Sequence, residues 1–157
     1  MKVFNVLVLI LLALPGISKA EQSKANGGKV STVVTNSFAE KCPEVNVKKW
    51  KKKDGRFIAV FLKGDKECEA SFDADGNWLQ TKDRIKWEQL PSPVRETYYA
   101  SDFKWLNRNR VEKLQTTNYK EVYLIGGDNS NQESGPLQPY KLWITPDGKI
   151  VKTKLVY

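Results

Sequence analysis

The chain has 157 residues, of which 40% are hydrophobic and 28% charged, and its formal net charge is +8 at pH 7. This composition is typical of a globular protein, and the length allows one domain with a substantial core. The sequence contains no histidine, which excludes Ser-His-Asp and Cys-His catalytic sets and most zinc sites. It also lacks a glycine-rich phosphate loop and a dinucleotide-binding fingerprint, so no cofactor is expected.

Residues 1–20, MKVFNVLVLILLALPGISKA, have the pattern of a secretory signal peptide. The apolar run is too short to span a bilayer, and Ser18 and Ala20 supply the small residues that signal peptidase requires. We therefore expect cleavage before Glu21 and a periplasmic or secreted protein that is not inserted in a membrane. Residues 21–29 are polar and glycine-containing and are expected to form a flexible leader.

The first helix is predicted within residues 30–42, VSTVVTNSFAEKC, where apolar or small residues recur with helical spacing until Pro43 ends the pattern. Four strand-like runs follow, at 45–52, 56–63, 67–72 and 77–85. The connections contain Asp-Gly or Gly-Asp pairs, which favour tight hairpin turns. The first half is therefore predicted to be a helix followed by a four-stranded meander.

The second half repeats this order. The stretch LPSPVRETYYASDF predicts a helix with Pro93 in its first turn. Strand-like runs follow at 110–115, 119–125, 140–144 and 149–156, and the middle connection is a long polar loop over 126–139. FDADGNWLQT, residues 72–81, also aligns without gaps to ITPDGKIVKT, residues 144–153.

This organisation predicts an α+β fold made of two tandem repeats, residues 30–85 and 90–157. Each repeat is a helix plus a four-stranded meander. The two meanders are expected to join into one curved antiparallel sheet with the helices on one face.

Asp73, Asp75 and Asn77 resemble the alternating oxygen donors of a calcium loop. In the corresponding register, however, Ser71 and Lys82 occupy the positions where the motif needs an aspartate and a bidentate glutamate. The aligned second stretch keeps the Asp-Gly pair and loses the other donors. The pattern therefore favours a hairpin turn, and no metal site is predicted.

Cys42 and Cys68 are the two cysteines of the chain. In an oxidising compartment an even pair is more often a disulfide than a reactive site. A structural disulfide between them is therefore expected.

The basic run KKWKKKDGR, residues 48–56, could contact phosphates and stack on a base. Export argues against nucleic acid as a partner, and strand periodicity divides the lysines between two faces. We favour a charged strand that resists edge-to-edge pairing. If the run binds a partner, an acidic protein surface or an anionic envelope glycan is the better candidate.

The order of these motifs resembles a known family. A helix ending F-x-x-x-C-P (38–43) precedes a tryptophan strand, an FIAVF strand (57–61), FDADGNW, and LPSPV at the start of the second copy. This order resembles the PepSY-like family, also described as β-lactamase-inhibitor-protein-like, from the periplasm of Bacteroidetes. The resemblance covers about residues 30–157. It implies one curved sheet whose concave face, away from the helices, binds a partner, whereas the loop at 126–139 departs from the compact repeat.

From these observations we predict a non-enzymatic exported binding module that could inhibit or modulate an envelope enzyme through its open sheet face. The alternative is recognition of an anionic glycan or small ligand by the same face. A hydrolase using two carboxylates is a third hypothesis, but no spacing in the sequence selects two acids. Aromatic side chains dominate interface hot spots, and the basic run adds charge. The candidate binding residues are accordingly Trp50, Phe57, Phe61, Tyr123, Trp143, Lys48 and Lys52.

Overall fold

The computed structural model describes residues 29–131 and 136–155. The predicted signal peptide and nearly all of the predicted leader lie outside these residues. The elements of the first half are α1 (Thr32–Lys41), β1 (Val47–Lys53), β2 (Arg56–Lys63), β3 (Lys66–Phe72) and β4 (Trp78–Arg84). Those of the second half are α2 (Ser92–Ala100), β5 (Asn107–Thr116), β6 (Val122–Asp128), β7 (Tyr140–Ile144) and β8 (Ile150–Leu155). Two short 3-10 helices, Trp87–Gln89 and Asp102–Trp105, flank α2.

The eight strands form one open antiparallel sheet in the order β1 to β8, so each strand pairs with its neighbours in the sequence. This arrangement confirms the predicted α+β class, and the two helices and eight strands lie close to the predicted ranges except at β5 and β6. The description as two tandem repeats stays a prediction. None of the helices in the described ranges is long and apolar enough to cross a bilayer.

The first helix covers β1 to β4 through an aromatic cluster. Val34 and Phe38 lie one turn apart on α1, and their exposed fractions are 0% and 4%. The Phe38 ring packs edge-on against the rings of Trp50, Phe61 and Phe72, with centroid separations of 5.8, 5.4 and 6.3 Å. Edge-to-face contacts of this kind are favourable beyond the apolar area that they bury. Val34 and Phe38 therefore both pack α1 against the sheet.

The second helix covers the other half in a corresponding way. Pro93 lies in its first turn, as predicted, and Val94 and Tyr98 are its buried residues. The Tyr98 hydroxyl donates to the carbonyl oxygen of Phe103 at 3.0 Å and lies 3.1 Å from the Tyr140 hydroxyl. A buried tyrosine needs such partners, because an unpaired hydroxyl would be costly.

The two aligned stretches form turns that contact their helices in the same manner. Gly76 and Gly148 both have positive φ angles, 84° and 91°. A Cβ atom added at Gly76 would lie 2.7 Å from Ser37 Oγ on α1, and one at Gly148 would lie 2.9 Å from Thr97 Oγ1 on α2. Each of the two positions therefore needs glycine for two reasons, the positive φ angle and the lack of space for a Cβ atom. These matching contacts support the tandem-repeat prediction.

The structure differs from the sequence prediction at β5 and β6. β5 begins at Asn107 rather than at residue 110, and β6 continues through Gly126 and Gly127, which were predicted to begin a loop. Arg108 pairs with Gly127 in this extension. A Cβ atom at Gly127 would lie 1.8 Å from the carbonyl oxygen of Asn107. The glycine therefore allows the close backbone approach that lengthens the pair of strands.

Candidate binding surface

The sheet has one face that packs against the helices and an opposite face on which no described helix packs. We call the second face the open face. Strand alternation places on it, from the first four strands, Lys49, Lys51, Ile58, Leu62, Glu69 and Lys82. From the last four strands it includes Arg110, Glu112, Leu124, Lys141, Trp143 and Lys152.

An ion-pair network crosses the middle of the open face. Glu69 contacts two lysines, with 2.7 Å from Oε1 to Lys51 Nζ and 2.9 Å from Oε2 to Lys82 Nζ. Lys82 Nζ also lies 3.8 Å from Glu112 Oε1, and Arg110 Nε lies 3.9 Å from the same oxygen. Burial raises the pKa of Glu69, but hydrogen bonds from Lys51 and Lys82 outweigh it and the net pKa is lowered. The carboxylate is therefore held charged and in place.

An apolar strip lies beside this network, on β5 to β8. Its members are Leu114, Val122, Leu124, Trp143 and Val151. The first three are nearly inaccessible, whereas Trp143 is half-buried. Lys152 Nζ lies 5.1 Å from the centroid of the Trp143 ring. The open face therefore combines ordered charges with an apolar strip that ends at an accessible indole.

Of the five predicted aromatic binding residues, the structure places one on the open face, Trp143. The position predicted for the other four is wrong, because they lie on the helix-covered face. Their exposed fractions are 4% for Trp50, 8% for Phe57, 3% for Phe61 and 4% for Tyr123. The cause is the alternation of β2, which turns its aromatic side chains toward Phe38 and its aliphatic side chains away. The Tyr123 hydroxyl in addition donates to the Glu121 carboxylate.

The two predicted lysines lie on β1. Lys48 Nζ is 3.6 Å from Glu67 Oε2, and both side chains are at least half exposed. Lys52 Nζ lies 5.2 Å from the centroid of the Phe57 ring, on the helix-covered side. A role of either lysine in binding stays a prediction.

Glu69 and Leu62 are two of the open-face residues that the sequence analysis did not select, and the sequence carried a signal for the first of them. In KECEASF the acids at 67 and 69 alternate with Cys68 and Ala70, so they had to share the face opposite the core. Leu62 alternates in the same way with Phe61 and is 51% exposed. A strict period-2 assignment would have placed Glu69 on the open face, whereas the face of Leu62 follows only from the contact of Phe61 with Phe38.

A small cavity lies on the opposite, helix-covered side, next to the end of α1. Its volume is about 230 Å³, and its lining includes Lys41, Cys42, Lys63, Asp83 and Lys113. Asp83 is the only carboxylate among the residues that line it. The carboxylate-hydrolase hypothesis needs two convergent acids, and this cavity does not present them.

Cys42 and Cys68 are free thiols in the structure, so the prediction of a disulfide between them is wrong. Cys68 is buried in the core, and its Sγ lies 3.7 Å from the carbonyl oxygen of Lys66, two residues earlier on its own strand. Burial, followed by the hydrogen bond and charge of Asp83, raises the pKa of Cys68 to about 12. Burial also raises the pKa of Cys42. Both thiols are therefore protonated at neutral pH and are poor nucleophiles.

The shifted pKa of Cys68 predicts a loss of stability in alkali. Unfolded cysteine loses its proton at about pH 8.5, whereas folded Cys68 keeps it to about pH 12. The folded pKa is the higher one, so the stabilising contribution is complete below the unfolded pKa and falls as the pH rises above it. Urea unfolding at pH 7.5 and at pH 9.5 should show this fall. Cys68→Ser keeps a hydroxyl donor without titrating in this range, so its stability should fall less. Equal losses in the two proteins would contradict the prediction.

In the turn that resembled a calcium loop, the Asp73 carboxylate accepts hydrogen bonds from the residues of the turn itself. Asp73 Oδ1 accepts from the backbone N–H groups of Asp75 and Asn77, at 3.0 and 2.8 Å, and Oδ2 accepts from Asn77 Nδ2 at 2.9 Å. The side-chain bond from Asn77 is the largest cause that lowers the pKa of Asp73. Within residues 29–131 and 136–155, no group of three or more histidine, cysteine or acidic residues is arranged to hold a metal. The hairpin interpretation accounts for every contact of this carboxylate.

No family model matches the sequence, and no curated protein matches it. Solved structures do match. A DUF2874 family protein from Bacteroides ovatus has a TM-score of 0.70 and 21% identity, with 83% of this chain and 90% of that chain covered.

The chain has the fold of these Bacteroides proteins. A BLIP-like protein from Bacteroides fragilis has a TM-score of 0.65 and 22% identity, covering 80% of this chain and 86% of that one. A protein from Bacteroides eggerthii described as periplasmic has a TM-score of 0.68 and 17% identity, covering 82% and 91%. These findings support a β-lactamase-inhibitor-like fold. The PepSY-like part of the resemblance stays a prediction.

Proposed function

We propose that this protein is a non-enzymatic module of the periplasm that binds another protein through its open face. The observation that carries this proposal is the ordered charge network beside an apolar strip, on a sheet face on which no described helix packs. Such a combination is typical of protein interfaces, in which an apolar centre is surrounded by polar groups. The signal-peptide pattern of residues 1–20 and the periplasmic description of the Bacteroides eggerthii protein support export.

The charge of the open face indicates an acidic partner. Its cations outnumber its carboxylates, and the chain remains basic after cleavage, because residues 1–20 carry only two of its 26 lysines and arginines and no acid. Complementary charge increases association rates and disfavours wrong partners. The BLIP-like name of the Bacteroides fragilis protein adds an analogy of fold, which makes an envelope enzyme a reasonable partner to inhibit or modulate.

An anionic glycan is the second candidate, and a specific contact favours it. Trp143 presents a partly accessible ring with Lys152 beside it, and an aromatic ring next to a cation suits a charged sugar. Trp143 is, however, the only aromatic side chain that the described strands place on the open face. A flat sugar-binding platform usually needs more stacking surface, so we favour the protein partner.

The proposal is tested by capture from periplasmic extract followed by a binding measurement with the purified captured protein. Leu62→Gln and Trp143→Ala change accessible open-face side chains. Tyr99→Ala removes an aromatic ring that is 54% exposed on α2 and serves as the matched control. We expect the open-face variants to weaken binding by about tenfold or more, as for interface anchors, and Tyr99→Ala to bind like the wild type. Recovery of no protein, or equal binding by all three variants, would overturn the proposal.

A further inference from the structure

One row across the open face carries cations on three of four neighbouring strands. In the strand register Arg110 of β5 pairs with Gly126 of β6, Gly126 pairs with Lys141 of β7, and Lys141 pairs with Lys154 of β8. We call these four residues the basic row. Its members are far apart in the sequence and are brought together only by the pairing of the strands.

The basic row is electrostatically unfavourable in the free protein. Like charges directly opposite each other on neighbouring strands repel. Among the described residues, no carboxylate lies within ion-pair distance of Lys141 or Lys154. Arg110 has one long contact, 3.9 Å from Nε to Glu112 Oε1, and it shares this oxygen with Lys82. The positive charge is therefore only partly balanced within the chain.

The environment of Lys141 agrees with this picture. Burial lowers its pKa, and the charges of Arg110 and Lys154 lower it further, against a smaller opposite effect of Glu112. Lys53 also lowers it, although it lies on β1.

Gly126 contributes no side chain to the centre of the row, and its backbone is buried. A Cβ atom added there would lie 3.6 Å from Arg110 Cβ, 3.6 Å from Leu124 Cδ2 and 3.3 Å from the carbonyl oxygen of Tyr140. Neighbouring strands are about 4.8 Å apart, so Arg110 and Lys141 start from strands about 10 Å apart. Arg110 is exposed and Lys141 is half-buried, so their charged ends can contact one oxyanion from two sides above the buried glycine.

We propose that the basic row binds a carboxylate of an acidic segment of the partner protein, held between the charged ends of Arg110 and Lys141. This inference rests on the proposed function and specifies the chemistry of the partner. The guanidinium fork of arginine suits a carboxylate, and the flexible lysine completes the contact from the other side.

The next row specifies a second feature of the partner. Two residues further along each strand, Leu124 pairs with Trp143. Leu124 is nearly inaccessible, so the half-buried Trp143 supplies the apolar contact, about 7 Å from the anion site. An extended segment places side chains of positions i and i+2 at the same spacing and on one side. The partner segment is therefore an acidic residue followed, two positions later, by an apolar residue. This apolar requirement favours a polypeptide over a sulfated glycan.

The test uses the full mature protein and a capped synthetic peptide that repeats the sequence Glu-Ser-Leu-Ser. Its counterpart with glutamine in place of glutamate is the charge control. Binding is followed by the amide NMR shifts of Gly126 and Lys141. We expect the acidic peptide to shift both signals, and the glutamine peptide and Lys141→Met each to weaken binding by about fivefold or more. Lys120→Met, which changes an exposed lysine elsewhere on the surface, should bind like the wild type.

Thermal unfolding shows whether Lys141→Met is correctly folded. Because the substitution removes a repelled charge, its Tm should equal or exceed that of the wild type. Equal weakening by Lys141→Met and Lys120→Met would show general charge attraction and overturn the inference. Tighter binding of a heparin tetrasaccharide through the same residues would also overturn it, in favour of a glycan. A captured partner that is lost by Trp143→Ala but kept by Lys141→Met would overturn this inference and leave the proposed function standing.

Discussion

Gly127→Ala is expected to lower the free energy of unfolding by roughly 3 kcal/mol or more, because overpacking against backbone has no easy relief. The added Cβ would lie 1.8 Å from the carbonyl oxygen and 2.8 Å from the carbonyl carbon of Asn107, and 2.9 Å from Tyr140 Cε1. Two of these atoms belong to the backbone of β5, which cannot move aside as a side chain can. The substitution must therefore separate the ends of β5 and β6.

Gly64→Ala is the matched control for this substitution. Gly64 has a φ angle of 61°, and an added Cβ would meet nothing within 4 Å. It should therefore cost only backbone strain, about 1 kcal/mol. Urea unfolding of the two variants measures the difference directly. If Gly127→Ala costs no more than Gly64→Ala, then the strands do not approach as closely as described, and the extension of β6 that carries Gly126 would be in doubt.

The positions of the strands could be predicted because their signals are local. Short apolar or alternating runs mark the strands, and a turn such as Asp54-Gly55 needs residues that tolerate positive φ, as the observed angles of 50° and 74° show. The helices were predictable for the same reason, since Val94 and Tyr98 are one turn apart. Local signals of this kind specify which element forms, and they do not depend on what it packs against.

The candidate surface could not be predicted in the same way, because it depends on distant packing. β2 is apolar on both faces, so the sequence alone could not decide whether Phe57 or Ile58 meets the helix. The position of Phe38 decides it. Gly126 and Gly127 were read as a loop because glycine is depleted in strands, and only the nearby backbone of Asn107 explains them.

Trp50→Ala is expected to lower the free energy of unfolding by about 3–5 kcal/mol, the range for large aromatic residues in cores. Trp50 is 4% exposed. Its ring packs against those of Phe38 and Phe72, at centroid separations of 5.8 and 6.5 Å, so its removal leaves a cavity beneath α1. Trp143→Ala should cost much less, about 1 kcal/mol, because a half-buried side chain has less contact area to lose.

The two tryptophan variants separate the core from the binding surface when unfolding and partner binding are both measured. Trp50→Phe, which keeps an aromatic ring under α1, should recover part of the lost stability and bind normally. Trp143→Ala should instead remain stable and bind weakly, since its indole marks the accessible end of the apolar strip. If Trp143→Ala were as destabilising as Trp50→Ala, the indole would belong to a second core and the open face would not be free for a partner. The ratio of the two stability losses therefore tests whether this sheet has one covered face or two.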